Sequence, residues 1–267
     1  MTQKSPSYLD DVRREEVWTG KTHSDAEFDG YSQTYEQLVN KSVWVTGESV
    51  EYFADLKARY LARSVGHEFC GKILDFGCGV GLLSRVLLSY LPSCALHGYD
   101  VSSASVELVP AEVSARGKFT SLEQELDTDY ELIIVANVMH HVPGPDRQKL
   151  ILGLGKRLGK KGRLAIFEHN PLNPLTRWAV KQCPFDVGVK LLWPSEVRHY
   201  CEVAGLKRKT QDYLTFFPRA VAWLRRFEPT LAWCPLGGQY VLMAQKSERG
   251  LGKTVAQDEG GSAVQNS

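Results

Sequence analysis

Ile73-Leu74-Asp75-Phe76-Gly77-Cys78-Gly79-Val80-Gly81-Leu82-Leu83-Ser84 is an apolar run that breaks into three alternating glycines and then resumes with helical spacing. It reads as a strand, a tight loop and the start of a helix, the arrangement that cradles a nucleotide-like cofactor. Glycine at alternate positions lets the main chain take positive φ and lets a ligand approach backbone amides without meeting a Cβ. About 20 residues further on, where such folds place a ribose-binding acid, Leu96-His97-Gly98-Tyr99-Asp100 forms a second short strand ending in a carboxylate. Asp100 is therefore expected to grip two ribose hydroxyls.

The glycine spacing selects among cofactors. A dinucleotide fingerprint sets its third glycine three residues after the second, but that slot is Leu82 and the third glycine is Gly81. The Lys-Ser/Thr ending of a P-loop is absent too. With Asp75 ahead of the first glycine, the stretch resembles motif I of the class I S-adenosylmethionine-dependent methyltransferases, acid-x-Gly-x-Gly-x-Gly. The resemblance covers about Phe28 to Lys246. It implies S-adenosyl-L-methionine as cofactor, with the backbone around Gly77, Gly79 and Gly81 near the methionine part, Asp75 near its ammonium end and Asp100 on the ribose. Phe76, Cys78 and Val101 belong to the same cofactor set.

The chain has 267 residues, enough for one large domain with additions. Its 32 basic and 31 acidic residues nearly cancel, so no overall field favours nucleic acid or an anionic membrane. No run of about 18 apolar residues predicts a membrane span, and the polar start Met1-Thr2-Gln3-Lys4 lacks a secretory apolar segment, so a cytoplasmic location is expected. The six cysteines, Cys70, Cys78, Cys94, Cys183, Cys201 and Cys234, show no C-x-x-C pair or metal spacing. They are expected as free thiols, mostly buried, and no metal is expected.

Strand and helix signals alternate through the middle third, predicting an α/β fold with a mainly parallel sheet and helices on both faces; the resemblance implies a Rossmann-like seven-stranded sheet with a C-terminal antiparallel hairpin. Strands are expected at Ile73 to Phe76, Leu96 to Asp100, Lys118 to Ser121, Leu132 to Ala136 and Arg163 to Glu168. Helices are expected at Leu82 to Leu91, Ser103 to Arg116 with a break at Pro110, Gln148 to Leu158, and Pro194 to Gly205. The hairpin, which the family resemblance implies, is assigned to Leu206 to Phe217 and Gln239 to Gln245. The domain reading is a mobile arm over 1–27, a domain over 28–246 and a disordered tail over 247–267. Within the domain, 28–66 is a helical lid, 67–170 the cofactor-binding core and 171–246 the substrate side, with a Trp/Arg insert at 219–236.

Candidate chemistry gathers at strand ends, where polar groups over the crevice have work to do. Val135-Ala136-Asn137-Val138-Met139-His140-His141 resembles the family's segment after the fourth strand, which implies that Ala136 and Asn137 border the cofactor and the histidines face the substrate. A lone histidine on an apolar segment is also an ordinary core residue. Phe167-Glu168-His169-Asn170-Pro171 ends the fifth strand; Glu168 and His169 are the functional candidates, and a turn held by asparagine side chains is the plainer reading. Phe28-Asp29-Gly30-Tyr31-Ser32-Gln33-Thr34-Tyr35 looks like a family lid segment, which makes Tyr31 and Tyr35 candidates to pack over the cofactor; simple helix packing also explains them. Many family members carry an acid just after the third strand for the adenine amine, whereas this chain reads Phe119-Thr120-Ser121-Leu122-Glu123. In the insert, Val221, Leu224 and Phe227 recur at helical spacing beside Arg219, Arg225 and Arg226. An amphipathic helix is expected there, whether capping the substrate pocket, docking a partner chain, resting on a membrane interface or packing on its own domain. The basic runs Lys156 to Lys161 and Lys207 to Lys209 are expected as solvated ends.

The resulting expectation is a methyltransferase acting on a small molecule by in-line displacement, with a hydroxyl oxygen as acceptor and His140, His141, Glu168 and His169, in that order, as candidates for the base. Nitrogen or carbon methylation, a nucleotide-dependent oxidoreductase, and a cofactor-binding protein without catalysis are the alternatives. The balanced charge, and Asn-Val-Met-His in place of an Asn/Asp-Pro-Pro-Tyr type loop, speak against a nucleic-acid substrate.

Overall fold

The computed structural model describes residues 48–183 and 188–246. The arm over 1–27, the tail over 247–267, Tyr31 and Tyr35 lie outside the described residues. Seven strands form one sheet in the order β3-β2-β1-β4-β5-β7-β6: β1 (Lys72–Phe76), β2 (Ala95–Tyr99), β3 (Gly117–Thr120), β4 (Tyr130–Ala136), β5 (Leu158–His169), β6 (Leu206–Leu214) and β7 (Gln239–Lys246). The first five run parallel, and β7 lies antiparallel between β5 and β6. From β1 the chain winds outward through β2 and β3, then returns to β4 on the other side. The reversal opens a crevice at the carboxyl ends of β1 and β4, where ligands of such sheets bind.

The central strands are buried on both faces, so their sequences are continuous apolar runs rather than alternating ones. The period of two still sorts their side chains. Leu74, Ile133, Val135 and Ile166 join one core, with Leu150, Leu154 and Val197 from helices α5 (Gly144–Arg157) and α7 (Pro194–Val203). Ile73, Leu132, Ile134, Ala165 and Phe167 join the other, under helices α1 (Val50–Val65) and α2 (Leu82–Tyr90). Between β2 and β3 the expected helix is two short ones, α3 (Ser103–Glu107) and α4 (Ala111–Ser114), because Pro110 serves as the cap of the second. A further helix, α6 (Pro174–Gln182), follows β5 and is capped by the Asn173 side chain, which accepts from the Thr176 amide.

Three local expectations change. The helix expected from Gln148 begins at Gly144, since Pro145 is tolerated in a first turn. It ends at Arg157, and Leu158 already pairs with Tyr130 in β5, with a register shift before Arg163. Arg157 is no solvated end: its guanidinium donates to the carbonyls of Leu126, Asp127 and Glu123 and pairs with the Glu123 carboxylate at 3.3 Å. The insert is not one amphipathic helix. Arg219–Phe227 is a 3-10 stretch kinked at Val221, followed by the four-residue helix α8 (Glu228–Leu231), and neither buries a side chain that could pull it into regular α geometry.

Candidate functional site

The glycine loop is stitched to the end of β2. The amides of Gly77 and Cys78 both donate to the Tyr99 carbonyl, and the Gly79 amide donates to Asp100 Oδ2 at 2.7 Å. Asp100 Oδ1 accepts from the Ser102 amide at 3.0 Å. A carboxylate offers about four lone-pair sites, so amides and ribose hydroxyls can share it. Two glycines carry different loads. Gly77 has φ +80, and a Cβ there would meet Val138 Cγ2 at 2.3 Å. Gly79 has φ +52, and a Cβ there would meet nothing within 4 Å, so the loop presents bare backbone to open space. Asp75 is withdrawn beneath the loop: it is buried and accepts from Ser84 Oγ at 2.7 Å. Burial pushes its carboxyl up to about 6 against the lowering effect of the Ser84 bond. Cys78 is buried beside the same acids, and burial pushes its thiol well up. The rings of Phe76 and Tyr99 stack at 4.8 Å below the loop, and Val101 packs on the adjoining core.

Across the crevice, β4 ends at Ala136, and Asn137 takes a left-handed φ of 58° while its amide donates to the Phe167 carbonyl. Among the described residues its buried Oδ1 finds no hydrogen-bond donor. An orphaned acceptor of this kind is costly unless a donor arrives. A tight turn through His140 follows, held by the buried Arg147, whose Nε donates to the carbonyls of Met139 and Val142. Because Ala136 pairs with Phe167, the next residues of the two strand ends meet. Glu168 Oε1 accepts from the Met139 amide at 2.9 Å, and Oε2 accepts from His140 Nδ1 at 2.6 Å. Both side chains are almost wholly buried. The ring of His140 lies 4.1 Å from that of His141 and 5.3 Å from that of His169. Burial raises the Glu168 carboxyl, but the charge and hydrogen bond of His140, with His169 and His141 behind, outweigh it and hold the group below its ordinary value. An ionised Glu168 accepts from Nδ1–H of His140 in either charge state of the ring, so in the neutral imidazole Nε2 is the basic nitrogen.

The rim of this end is built from α1 and the insert. Ser64 near the end of α1 accepts from Arg163, and the Tyr60 ring sits edge-on to Phe167 at 5.9 Å, so α1 runs antiparallel to β5 and its first half reaches the strand's carboxyl end. The insert clasps it there: Arg225 donates to Glu48 Oε1 at 2.6 Å, and its guanidinium lies 4.4 Å from the centre of the Tyr52 ring. On the inner face of α1 sits Lys57, only 5% exposed among Ala54, Ala58 and Leu61. Sequence reasoning passed over Lys57, named Ser84 only as the end of the glycine stretch and placed Arg225 only in an expected amphipathic helix. A lysine at the apolar positions of an amphipathic helix, i+3 from Ala54 and i−4 from Leu61, was the available signal for the first. The acid expected after β3 has no counterpart at the strand end: Glu123 pairs with Arg157, and Glu125 accepts from Thr120 Oγ1 at 2.7 Å.

These residues fit a nucleoside sulfonium such as S-adenosylmethionine: open backbone over Gly79, a carboxylate at Asp100, and the orphaned Asn137 Oδ1 as acceptor for an ammonium. No disulfide and no cluster of metal-binding side chains occurs among the described residues. No helix among them is long and apolar enough to cross a membrane.

Comparison with known proteins agrees with the geometry. Residues 74–164 match a family model described as a methyltransferase domain. Among curated relatives, the ribosomal RNA small subunit methyltransferase C of Enterobacter sp. (strain 638) is 35% identical over 104 residues, covering 36% of this chain and 30% of its own length. That of Serratia proteamaculans (strain 568) is 25% identical over 168 residues, 59% of this chain and 48% of its own. The chain spans less than half the length of these relatives. Among solved structures, magnesium protoporphyrin IX methyltransferase from Synechocystis PCC 6803 with bound SAH has a TM-score of 0.59 at 15% identity, over 84% of this chain and 98% of that one. The cyclase SpnF matches with a TM-score of 0.58, also at 15% identity, over 82% of this chain and 96% of that one. The shared fold therefore leaves the chemistry to be argued from the site.

Proposed function

The chain carries a class I S-adenosylmethionine-dependent methyltransferase domain, and we propose that it transfers a methyl group from S-adenosylmethionine to a hydroxyl oxygen of a small molecule. The observation that carries the oxygen acceptor is the 2.6 Å bond between His140 Nδ1 and Glu168 Oε2 at the carboxyl ends of β4 and β5. Bound S-adenosylmethionine supplies an electrophilic methyl on a sulfonium. The Gly79 backbone and Asp100 hold the nucleoside, while Asn137 Oδ1 accepts from the ammonium. His140 Nε2 takes the acceptor's hydroxyl proton as the oxygen attacks. Glu168 fixes the ring's tautomer and stabilises the imidazolium, so it is a positioning residue rather than the base; the rings of His141 and His169 lie beside that of His140. Burial of the pair keeps water from competing for that proton.

A small molecule is favoured over ribosomal RNA by the net charge of +1 and by the Asn137-Val138-Met139-His140 segment. The test is radiolabelled S-adenosylmethionine incubated with the full chain and, separately, host metabolites including the lipid fraction, and small-subunit ribosomal RNA. Label in a metabolite fraction is expected; label in RNA alone overturns the acceptor class. On the labelled acceptor, Glu168→Gln and His140→Ala should each lower kcat by about 10²- to 10⁴-fold, the worth of a general base, with affinity for S-adenosylhomocysteine retained. Undiminished turnover in both would refute the base.

A further inference from the structure

Lys57 is a cation without a counterpart. It is 5% exposed, and among the described residues no hydrogen bond or ion pair engages its ammonium; the Phe53 ring, 6.0 Å away, is the only contact of charge character. Folding does not ask for it, since the positions around it on α1 are alanine and leucine. Isolated buried ammonium groups are strongly disfavoured, so one that persists is neutral or meets an anion.

Its place in the fold points to the second case. Going up α1 against β5, Ser64 lies beside Arg163 and Tyr60 beside Phe167, and one turn further Lys57 comes level with the strand end that bears Glu168 and His169. The charge of Glu168 reaches it and partly opposes the effect of burial. Glu168 is not its ion-pair partner: the Glu168 oxygens accept from His140 Nδ1 and the Met139 amide, and no ion pair joins Glu168 to the Lys57 ammonium among the described residues. Lys57 therefore belongs to the acceptor half of the crevice rather than the nucleoside half.

We propose that Lys57 is the charge-selecting residue of the acceptor pocket, receiving a carboxylate or phosphate that the acceptor carries beside the methylated hydroxyl. This rests on the methyltransferase reading and narrows its substrate to small anionic hydroxy compounds. The ammonium fills a vacancy in the ligand's favour: a neutral analogue leaves it buried and unpaired, which is a strong basis for rejection. The methionine carboxylate of the cofactor has the same chemistry, and the experiment separates the two sources.

The full chain, labelled with ε-¹³C lysine and with the Lys57 signal assigned by its loss in Lys57→Met, is saturated with S-adenosylhomocysteine and titrated with inorganic phosphate and with acetate. The expected result is a saturable shift of the Lys57 signal by these anions in the S-adenosylhomocysteine complex, and at least tenfold weaker phosphate binding in Lys57→Met, whose circular dichroism and S-adenosylhomocysteine affinity match the wild type. If S-adenosylhomocysteine alone moves the signal and abolishes the anion response, the cofactor's carboxylate is the occupant and the proposal is overturned; it is also overturned if no anion moves the signal. Failure of the wild type to bind S-adenosylhomocysteine would instead strike the methyltransferase reading. In the labelling assay the methylated product should be retained on an anion exchanger at neutral pH, and a neutral product refutes the charge selection.

Discussion

Gly77 and Gly79 have the same left-handed backbone but opposite surroundings, and their alanine variants should part accordingly. Gly77→Ala drives a methyl group into Val138 as well as straining φ, so it should destabilise the fold by several kcal/mol, on the order of an overpacked core, as thermal melting would show. Gly79→Ala faces open space and should cost about 1 kcal/mol of stability while weakening S-adenosylhomocysteine at least about tenfold by calorimetry, because the added methyl stands where the ligand approaches. Equal losses of stability in the two would contradict this division. Asp75 gives a pH signature. Its folded value near 6 lies above the ordinary 3.8, so between these pH values the native state holds more protons than the unfolded chain, and stability falls as pH rises through that window. Asp75→Asn should therefore be more stable than wild type above pH 6, by up to about 3 kcal/mol, with the advantage vanishing near pH 4. The alternation of glycines was visible in the sequence, but which glycine is packed and which is open depends on Val138, a residue 61 positions from Gly77 in the chain.

The hydrogen-bonded pair of His140 and Glu168 is made by two strand ends, and each was legible separately: an apolar run stopping at a histidine pair, and another stopping at Glu168-His169. Their contact required β4 and β5 to be neighbours in register, which is a property of the sheet. The insert shows the opposite case. Its helical spacing suggested a regular helix, yet with no side chain to bury it becomes a kinked 3-10 segment whose Arg225 anchors the start of α1. Arg225→Ala removes the contact to Glu48, the Tyr52 ring and two bonds to the Phe217 carbonyl, so amide hydrogen exchange over residues 50–54 should accelerate about tenfold or more, on the order of 1–2 kcal/mol of local stability, while the β1 and β4 amides stay protected. Unchanged exchange over that half of α1 would show that the clasp holds nothing.

For the molecule as a whole, ligand binding and stability are linked. S-adenosylhomocysteine at 100 times its Kd should add about 2.7 kcal/mol to unfolding and raise Tm by roughly 5–10 °C, whereas NAD should leave the melt unmoved; the reverse would restore the oxidoreductase alternative. Lys57 adds a trade-off. Burial pushes its ammonium down from 10.5 to about 8, with Glu168 partly opposing, so the unfolded chain binds more protons than the native state between these values and stability rises with pH across that range. Below pH 8 the native protein carries the buried charge, and Lys57→Met should be the more stable protein at pH 7, by about 3 kcal/mol, while losing anion binding. The sequence by itself determined the strand-loop-helix that frames the cofactor and the parallel sheet, because these rest on local spacing of apolar residues and glycines that any neighbour would respect; the antiparallel close followed from the family resemblance. Tertiary structure alone decided that Glu168 serves His140, that Arg225 holds α1, and that a lysine is left buried without an anion, because each depends on residues distant in the chain arriving within a few ångströms of one another.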